Sequence, residues 1–265
     1  AYQAAQRFAQ AIAALQSLMA SEQDAAVRAK LGRQIADIYA NNMNDPANAY
    51  AALESCFTEY PKDAQLRIEL EKLAEQGNRW ADLANAYQAA LSVLGEDPES
   101  RTISRRLAEV LEQKLGQGEQ ALQYYKAAGS VAGELPDDLE SLQAMERLLR
   151  QQENIPDLAL VLERIAALLP DKDKKTKKTH LLEVATYSEN QMGEPDRAIR
   201  AYEQILTFDP KDKDVLAALD QLYESLGDVG KLAEILQKRI DTAGVSPQVV
   251  DFHLRRAKLF MEELN

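Results

Sequence analysis

The chain has 265 residues, 46% of them hydrophobic but only 6% aromatic, and a formal net charge of −12. An acidic chain lacks the basic footprint of a general nucleic-acid binder, and no apolar run reaches the length of a transmembrane helix. The single cysteine, Cys56, excludes an internal disulfide.

Good helix formers (Ala, Leu, Glu, Gln, Lys, Arg) dominate throughout, and strand-like runs of Val and Ile are missing. Residues 1–20 read as one amphipathic helix with Phe8, Ile12 and Leu15 on its inward face. Next comes a run of paired helical segments. Ala49, Leu83, Ala121, Leu158, Ala198 and Leu232 recur at spacings of 34, 38, 37, 40 and 34 residues. A coarser series, Ala36, Ala108, Ala185 and Ala257, recurs at 72, 77 and 72 residues. Nested periods of this kind mark stacked helical hairpins that bury a continuous core of Ala and Leu. The odd hairpins carry a small Ala at the anchor of the second helix and the even ones Leu, so the repeating unit reads as a pair of hairpins. Three such pairs fit at about 28–98, 101–171 and 176–244. Gly129 to Gly133 reads as an interhelix turn, with Pro136 and Asp137 opening the next helix.

The last segment, 247–264, reads as one helix with Leu254, Ala257, Leu259, Phe260 and Leu264 on its apolar side. Both end helices are expected to expose apolar surface, with Phe8, Ile12 and Leu15 at one end and Leu259, Phe260 and Leu264 at the other. Such patches drive self-association. Because the pattern starts and stops in mid-repeat, and Asn265 aligns with Asn44, residues 1–265 are expected to form one domain that is a fragment of a longer array.

Ala185 to Pro210, with Ala185, Tyr187, Gly193, Ala198, Tyr202 and Pro210 in register, resembles a tetratricopeptide repeat. The segment Ala36 to Pro61 resembles it more weakly, because Asn44 stands at the turn glycine. The resemblance implies an all-α, right-handed superhelical solenoid of about fourteen helices. It is specific for fold and says little about function. Family members that clamp a peptide carboxylate use a Lys/Asn set on successive first helices, and that set is absent here.

No catalytic, cofactor-binding or metal-binding residue is expected. Cys56 lies between Leu53 and Phe57 on a helix, as a core thiol would. His180 and His253, the only histidines, have no second His or Cys at ligand spacing. Trp80 opens a second helix and reads as core. Lys172, Lys174, Lys175, Lys177 and Lys178 form the one basic run. It is either a solvated connection or a contact for an acidic partner or membrane surface.

The groove in such arrays is lined by the first helix of each hairpin. Here that face holds Lys30, Arg33, Gln34, Asp37 and Asn41, then Glu69, Lys72 and Glu75, then Arg105, Arg106, Glu109 and Glu112. It continues with Gln143, Arg147 and Arg150, then Glu183, Thr186 and Glu189, then Gln221 and Glu224. The candidate partner-binding set is Arg105, Arg106, Glu109, Gln143, Arg147 and Arg150, because guanidinium forks suit carboxylates. The same arginines could instead pair with Glu109, Glu112 and Glu146. The sequence therefore points to a non-enzymatic scaffold that binds a peptide or protein, with no nucleic acid, no membrane insertion and possible self-association through the end helices. Two alternatives stay open: the regulatory or substrate-selecting arm of an enzyme, and a structural spacer in a cell-envelope or motility assembly.

Overall fold

A computed structural model describes residues 2–129 and 138–263. Among the described residues it is all-α, with fourteen α-helices and no strand. They fall into two compact units, Ala1–Ser141 and Leu142–Asn265.

In the first unit α1 (Tyr2–Ser21) precedes three hairpins: α2 (Ala25–Asp37) with α3 (Pro46–Glu59), α4 (Ala64–Gly77) with α5 (Trp80–Leu94), and α6 (Glu99–Gln113) with α7 (Gly118–Ala127). The second unit pairs α8 (Leu139–Gln151) with α9 (Ile155–Leu168), α10 (Lys174–Tyr187) with α11 (Pro195–Phe208), and α12 (Lys213–Leu226) with α13 (Val229–Ala243). It ends in α14 (Gln248–Glu263), and α8 begins at Leu139, just before the unit boundary at Ser141. The turn expected at 130–133, the helix opening at Pro136 and Asp137, and the positions Leu264 and Asn265 lie outside the described residues.

The anchor series is the core. Ala49, Leu83, Ala121, Leu158, Ala198 and Leu232 are each at most 4% exposed and stand on α3, α5, α7, α9, α11 and α13, the second helix of each hairpin. Ala36, Ala108 and Ala185 are buried on α2, α6 and α10, whereas Ala257 on α14 is exposed. Small residues at these crossings let helices approach closely. The tightest approach is at Gly32 on α2, where a Cβ would lie 2.0 Å from the Sγ of Cys56 on α3. Cys56 is thus a packed thiol, 5% exposed, and burial pushes its pKa up.

Aspartates begin many of the helices. Asp24, Asp45, Asp63, Asp173, Asp212 and Asp228 each accept a backbone N–H in the first turn of the helix that follows. Part of the acidic excess therefore caps helices, at about 0.5–2 kcal/mol per cap. Two hairpins, α2/α3 and α10/α11, widen their first helix into a π-helical turn at Ile38–Asn42 and Ser188–Met192. The turns that follow use Asn44 at φ 53° and Gly193 at φ 65°. Asn is the side-chain-bearing residue that best tolerates this left-handed backbone, so Asn44 preserves the turn that Gly193 makes.

The expected exposure of the end helices differs between them. On α1, Ile12 is 4% exposed and Phe8 and Leu15 are half-buried, because α1 packs on α2; Leu18 remains 52% exposed. On α14, Leu254 and Phe260 are 58% and 43% exposed, while Leu259 is half-buried.

Candidate protein-interaction surface

In the first unit the face formed by α2, α4 and α6 carries two depressions. One, of about 750 Å³, lies between α2 and α4 and brings together Lys30, Arg33, Gln34, Asp37 and Asn41 with Glu69 and Lys72. Of the groove residues expected on these two helices, all but Glu75 line this depression, and Glu75 lines the next. The other, of about 330 Å³, lies between α4 and α6 over α5. Ile68, Glu71, Lys72 and Glu75 form its α4 wall, and Arg106, Glu109, Val110, Gln113 and Lys114 its α6 wall. Trp80, Leu83 and Tyr87 of α5 complete it.

Trp80 is half-buried rather than core. It shares the helical stripe of Leu83 and Tyr87, three and seven residues on, but it occupies the first position of α5. There its ring reaches the Lys114 ammonium, 4.6 Å from the ring centroid, in a cation–π contact. Ile68 across the notch is 52% exposed. Below them the Tyr87 hydroxyl donates to Glu71, and burial together with that carboxylate pushes the phenol pKa far up. Arg106 donates to Glu109 at 3.0 Å through one terminal nitrogen, while its Nε has no hydrogen-bond partner and lies 4.0 Å from Glu71. The notch is thus a cleft of mixed lining, in which Ile68, Trp80, Leu83 and Val110 stand among carboxylates and donors.

The six residues singled out from sequence stand on two helices, one in each unit. In the first, Arg106 and Glu109 line the notch, and Arg105 lies 3.9 and 3.7 Å from Asp138 and Glu140. In the second, Gln143, Arg147 and Arg150 are exposed on α8. Arg150 donates to Glu146 at 2.8 Å and to Glu183 on α10 at 2.6 Å. Glu112 turns away from the notch and accepts the Tyr125 hydroxyl at 3.0 Å.

Pairs of this kind recur along the chain. Arg67–Glu99, Arg150–Glu183, Arg197–Glu163 and Arg255–Asp220 are separated by 32, 33, 34 and 35 residues and join corresponding helices of successive hairpins, while Arg28–Glu59 ties α2 to α3 within one hairpin. The basic run behaves likewise. Lys178 reaches Asp209 and Asp212, Lys174 donates to the Phe208 carbonyl, and Lys177 lies 3.7 Å from Asp171. Lys174 and Lys178 tie α10 to the end of α11 and the turn before α12, and Lys177 turns back to the turn before α10.

His180 is half-buried on α10, with Nε2 3.7 Å from Glu146 and Nδ1 3.0 Å from the Thr176 carbonyl. The Glu146 contact raises the histidine pKa, aided by Glu183, and the same contact lowers that of Glu146. Glu146 thus contributes stability above its unfolded pKa. His180, with a raised folded pKa, contributes below its unfolded value near 6.5 and loses that contribution as pH rises through the folded value. His180→Gln should therefore destabilise by about 0.5–1.5 kcal/mol near pH 6 and by less near pH 8.5. Thermal melts of both forms at the two pH values check this, and a gap independent of pH would contradict it. His253 is exposed. No group of three or more His, Cys, Asp or Glu among the described residues is placed to hold a metal ion. No helix among them is long and apolar enough to cross a membrane.

Residues 34–63, running from α2 through its π-helical turn and α3 to the cap of α4, match the family model of the tetratricopeptide repeat. The chain carries a tetratricopeptide repeat. The matched stretch holds the copy with Asn44 at its turn, and α10/α11, with Gly193, repeats its π-helical turn. Tetratricopeptide hairpins are generally a non-catalytic, protein-interaction fold. Among solved structures, the C-terminal part of a TPR repeat-containing protein from Cytophaga hutchinsonii is 14% identical, with 93% of this chain and 94% of that one covered and a TM-score of 0.39. A tetratricopeptide repeat protein from Parabacteroides merdae is 14% identical over 98% of this chain and 95% of that one, with a TM-score of 0.37. YrrB, described as a TPR protein with an unusual peptide-binding site, is 19% identical over 78% of this chain and 98% of that one, also with a TM-score of 0.37. No curated protein matches the chain.

Proposed function

We propose that the chain is a non-enzymatic scaffold whose α2/α4/α6 face holds an extended segment of a partner protein, with an apolar side chain seated in the Trp80 notch. The observation that carries this reading is the notch itself. It presents a half-buried Trp80 ring and an exposed Ile68 beside Arg106, whose Nε makes no hydrogen bond and lies 4.0 Å from Glu71. Concave apolar sites with a few convergent polar groups are where ligands bind, and aromatic and Arg side chains contribute most at protein interfaces. An extended segment between α4 and α6 would meet Glu71, Lys72 and Glu75 on one side and Arg106, Glu109 and Lys114 on the other. That alternation of charge suits a backbone, which offers both donors and acceptors, better than it suits a uniformly acidic peptide.

Of the six residues chosen from sequence, this reading uses Arg106 and Glu109, which line the notch. Arg106 is paired with Glu109, as Arg105 is with Asp138 and Glu140 and Arg150 with Glu146 and Glu183, and Gln143 and Arg147 are assigned no role. Peptides selected against the purified chain from a displayed library supply the probe. Arg106→Ala should weaken such a peptide by roughly 1–3 kcal/mol, and Trp80→Ala by about 2 kcal/mol or more. Isothermal titration reads both, with Arg150→Ala as a control expected to change nothing. Equal loss in the control, or none in either notch variant, would move the site elsewhere and favour the spacer reading.

A further inference from the structure

The two depressions on the α2/α4/α6 face are neighbours. Helix α4 alone separates them, and Lys72 on its crest lines both. Each sets apolar side chains among mixed charges. Around the notch Glu71, Glu75 and Glu109 stand with Lys72, Arg106 and Lys114. Around the other, Asp37 and Glu69 stand with Lys30, Arg33 and Lys72, over Ala36, Leu53 and Leu73. Neither sign of charge dominates, so a ligand is selected by where it places its side chains.

Two sites on opposite flanks of one helix lie about 10 Å apart, the diameter of a packed helix. Few ligand backbones meet that spacing. The same-face side chains of a β-strand fall about 7 or 14 Å apart. An α-helix covers about 11 Å in two turns, but its intervening turn puts a side chain on the α4 crest, where Lys72 stands exposed. A polyproline-II helix has three residues per turn and rises about 3.1 Å per residue. Its residues i and i+3 therefore share a face about 9 Å apart, and the two between them point away.

We infer, on the basis of the interaction face proposed above, that its ligand is a proline-rich segment in the polyproline-II conformation. It crosses α4 with one apolar side chain in the Trp80 notch and a second large side chain, three residues on, in the α2/α4 depression. Such a segment makes no internal backbone hydrogen bonds, so its carbonyls are open to the Lys72 ammonium on the crest. Its conformation is preformed, which limits the entropy lost on binding, and aromatic-lined grooves are where such segments dock. Trp80 supplies the aromatic ring.

Peptides selected from a fully randomised displayed library against the whole chain test this, with affinities read by isothermal titration. The expected peptides are weakened by Trp80→Ala and carry a second anchor three positions from the one in the notch, with proline between or beside the two. Alanine at the second anchor should weaken binding about tenfold, and one extra residue inserted between the anchors should do the same. Gln34→Tyr fills the α2/α4 depression from an exposed position on α2. It should leave the helical circular-dichroism spectrum unchanged, weaken the parent peptide about tenfold and abolish the effect of alanine at the second anchor. Anchors two or four positions apart, an insertion without effect, or indifference to Gln34→Tyr would overturn the polyproline-II ligand and leave the notch as a binding site. Peptides indifferent to Trp80→Ala would overturn the notch and this inference together.

Discussion

Asp220→Ala should destabilise the second unit by about 3 kcal/mol, with a melting temperature lower by roughly 10 °C. The Asp220 carboxylate on α12 is 1% exposed. Arg255 of α14 grips it through two nitrogens at 2.9 and 2.7 Å, and Arg239 of α13 reaches the same group. Removing the carboxylate leaves two guanidinium groups facing each other without compensation. Arg239 and Arg255 keep 22% and 28% of their side-chain surface. They can partly turn to water, which holds the cost to the low end of the range of about 3–5 kcal/mol for a broken buried pair. Asp220→Asn retains an acceptor and should cost less. Chemical denaturation of the three forms gives the comparison, and two variants within about 0.5 kcal/mol of the parent would show that the carboxylate does not hold α12, α13 and α14 together.

Gly32→Ala should destabilise the first unit by about 1–3 kcal/mol, against the usual helical preference for Ala over Gly of about 1 kcal/mol. The reason is the 2.0 Å approach of the new methyl to Cys56 Sγ, too short for any non-bonded pair. Cys56→Ala removes the sulfur and leaves the Cys56 Cβ position, 3.3 Å from the new methyl, as a tight contact. The double variant should therefore recover stability relative to Gly32→Ala alone, with a coupling energy of about 1–3 kcal/mol. Additive losses would mean that α2 and α3 have room to separate at this crossing.

The repeat frame was legible because close packing leaves a strict trace. Positions such as Ala49, Leu83 and Ala198 are at most 1% exposed, so their size is fixed by the neighbouring helix and recurs at the spacing of the hairpins. The groove face was legible for the same geometric reason, since Lys30, Arg33 and Asn41 lie on one side of the first hairpin and meet Glu69 and Lys72 of the next. What a polar residue on that face does was not. An arginine there can meet a ligand, or reach a carboxylate one hairpin away, as Arg150 does with Glu183. Sequence spacing is the same in both cases.

Trp80 opens a second helix and reads from the sequence as core, and in the structure it does keep the period of buried Leu83 and Tyr87. The signal that distinguishes it is its place in the first turn of α5, directly after the Gly77–Asn78 turn, where a large ring extends past the packed segment of the helix. The π-helical turns left no trace in apolar spacing, because their extra residue falls beyond the last buried position of α2, Ala36.

The most direct test of the scaffold reading uses the fact that Trp80 is the only tryptophan in the chain. Excitation at the red edge of the indole band, beyond tyrosine absorption, therefore reports Trp80 and the notch alone. A library-selected peptide lacking Trp is titrated into the chain while emission is followed, and the same titration is read by calorimetry. The account predicts a saturable change in Trp80 emission with the calorimetric affinity, weakened in parallel by Arg106→Ala. Binding seen by calorimetry with Trp80 emission unmoved would contradict it.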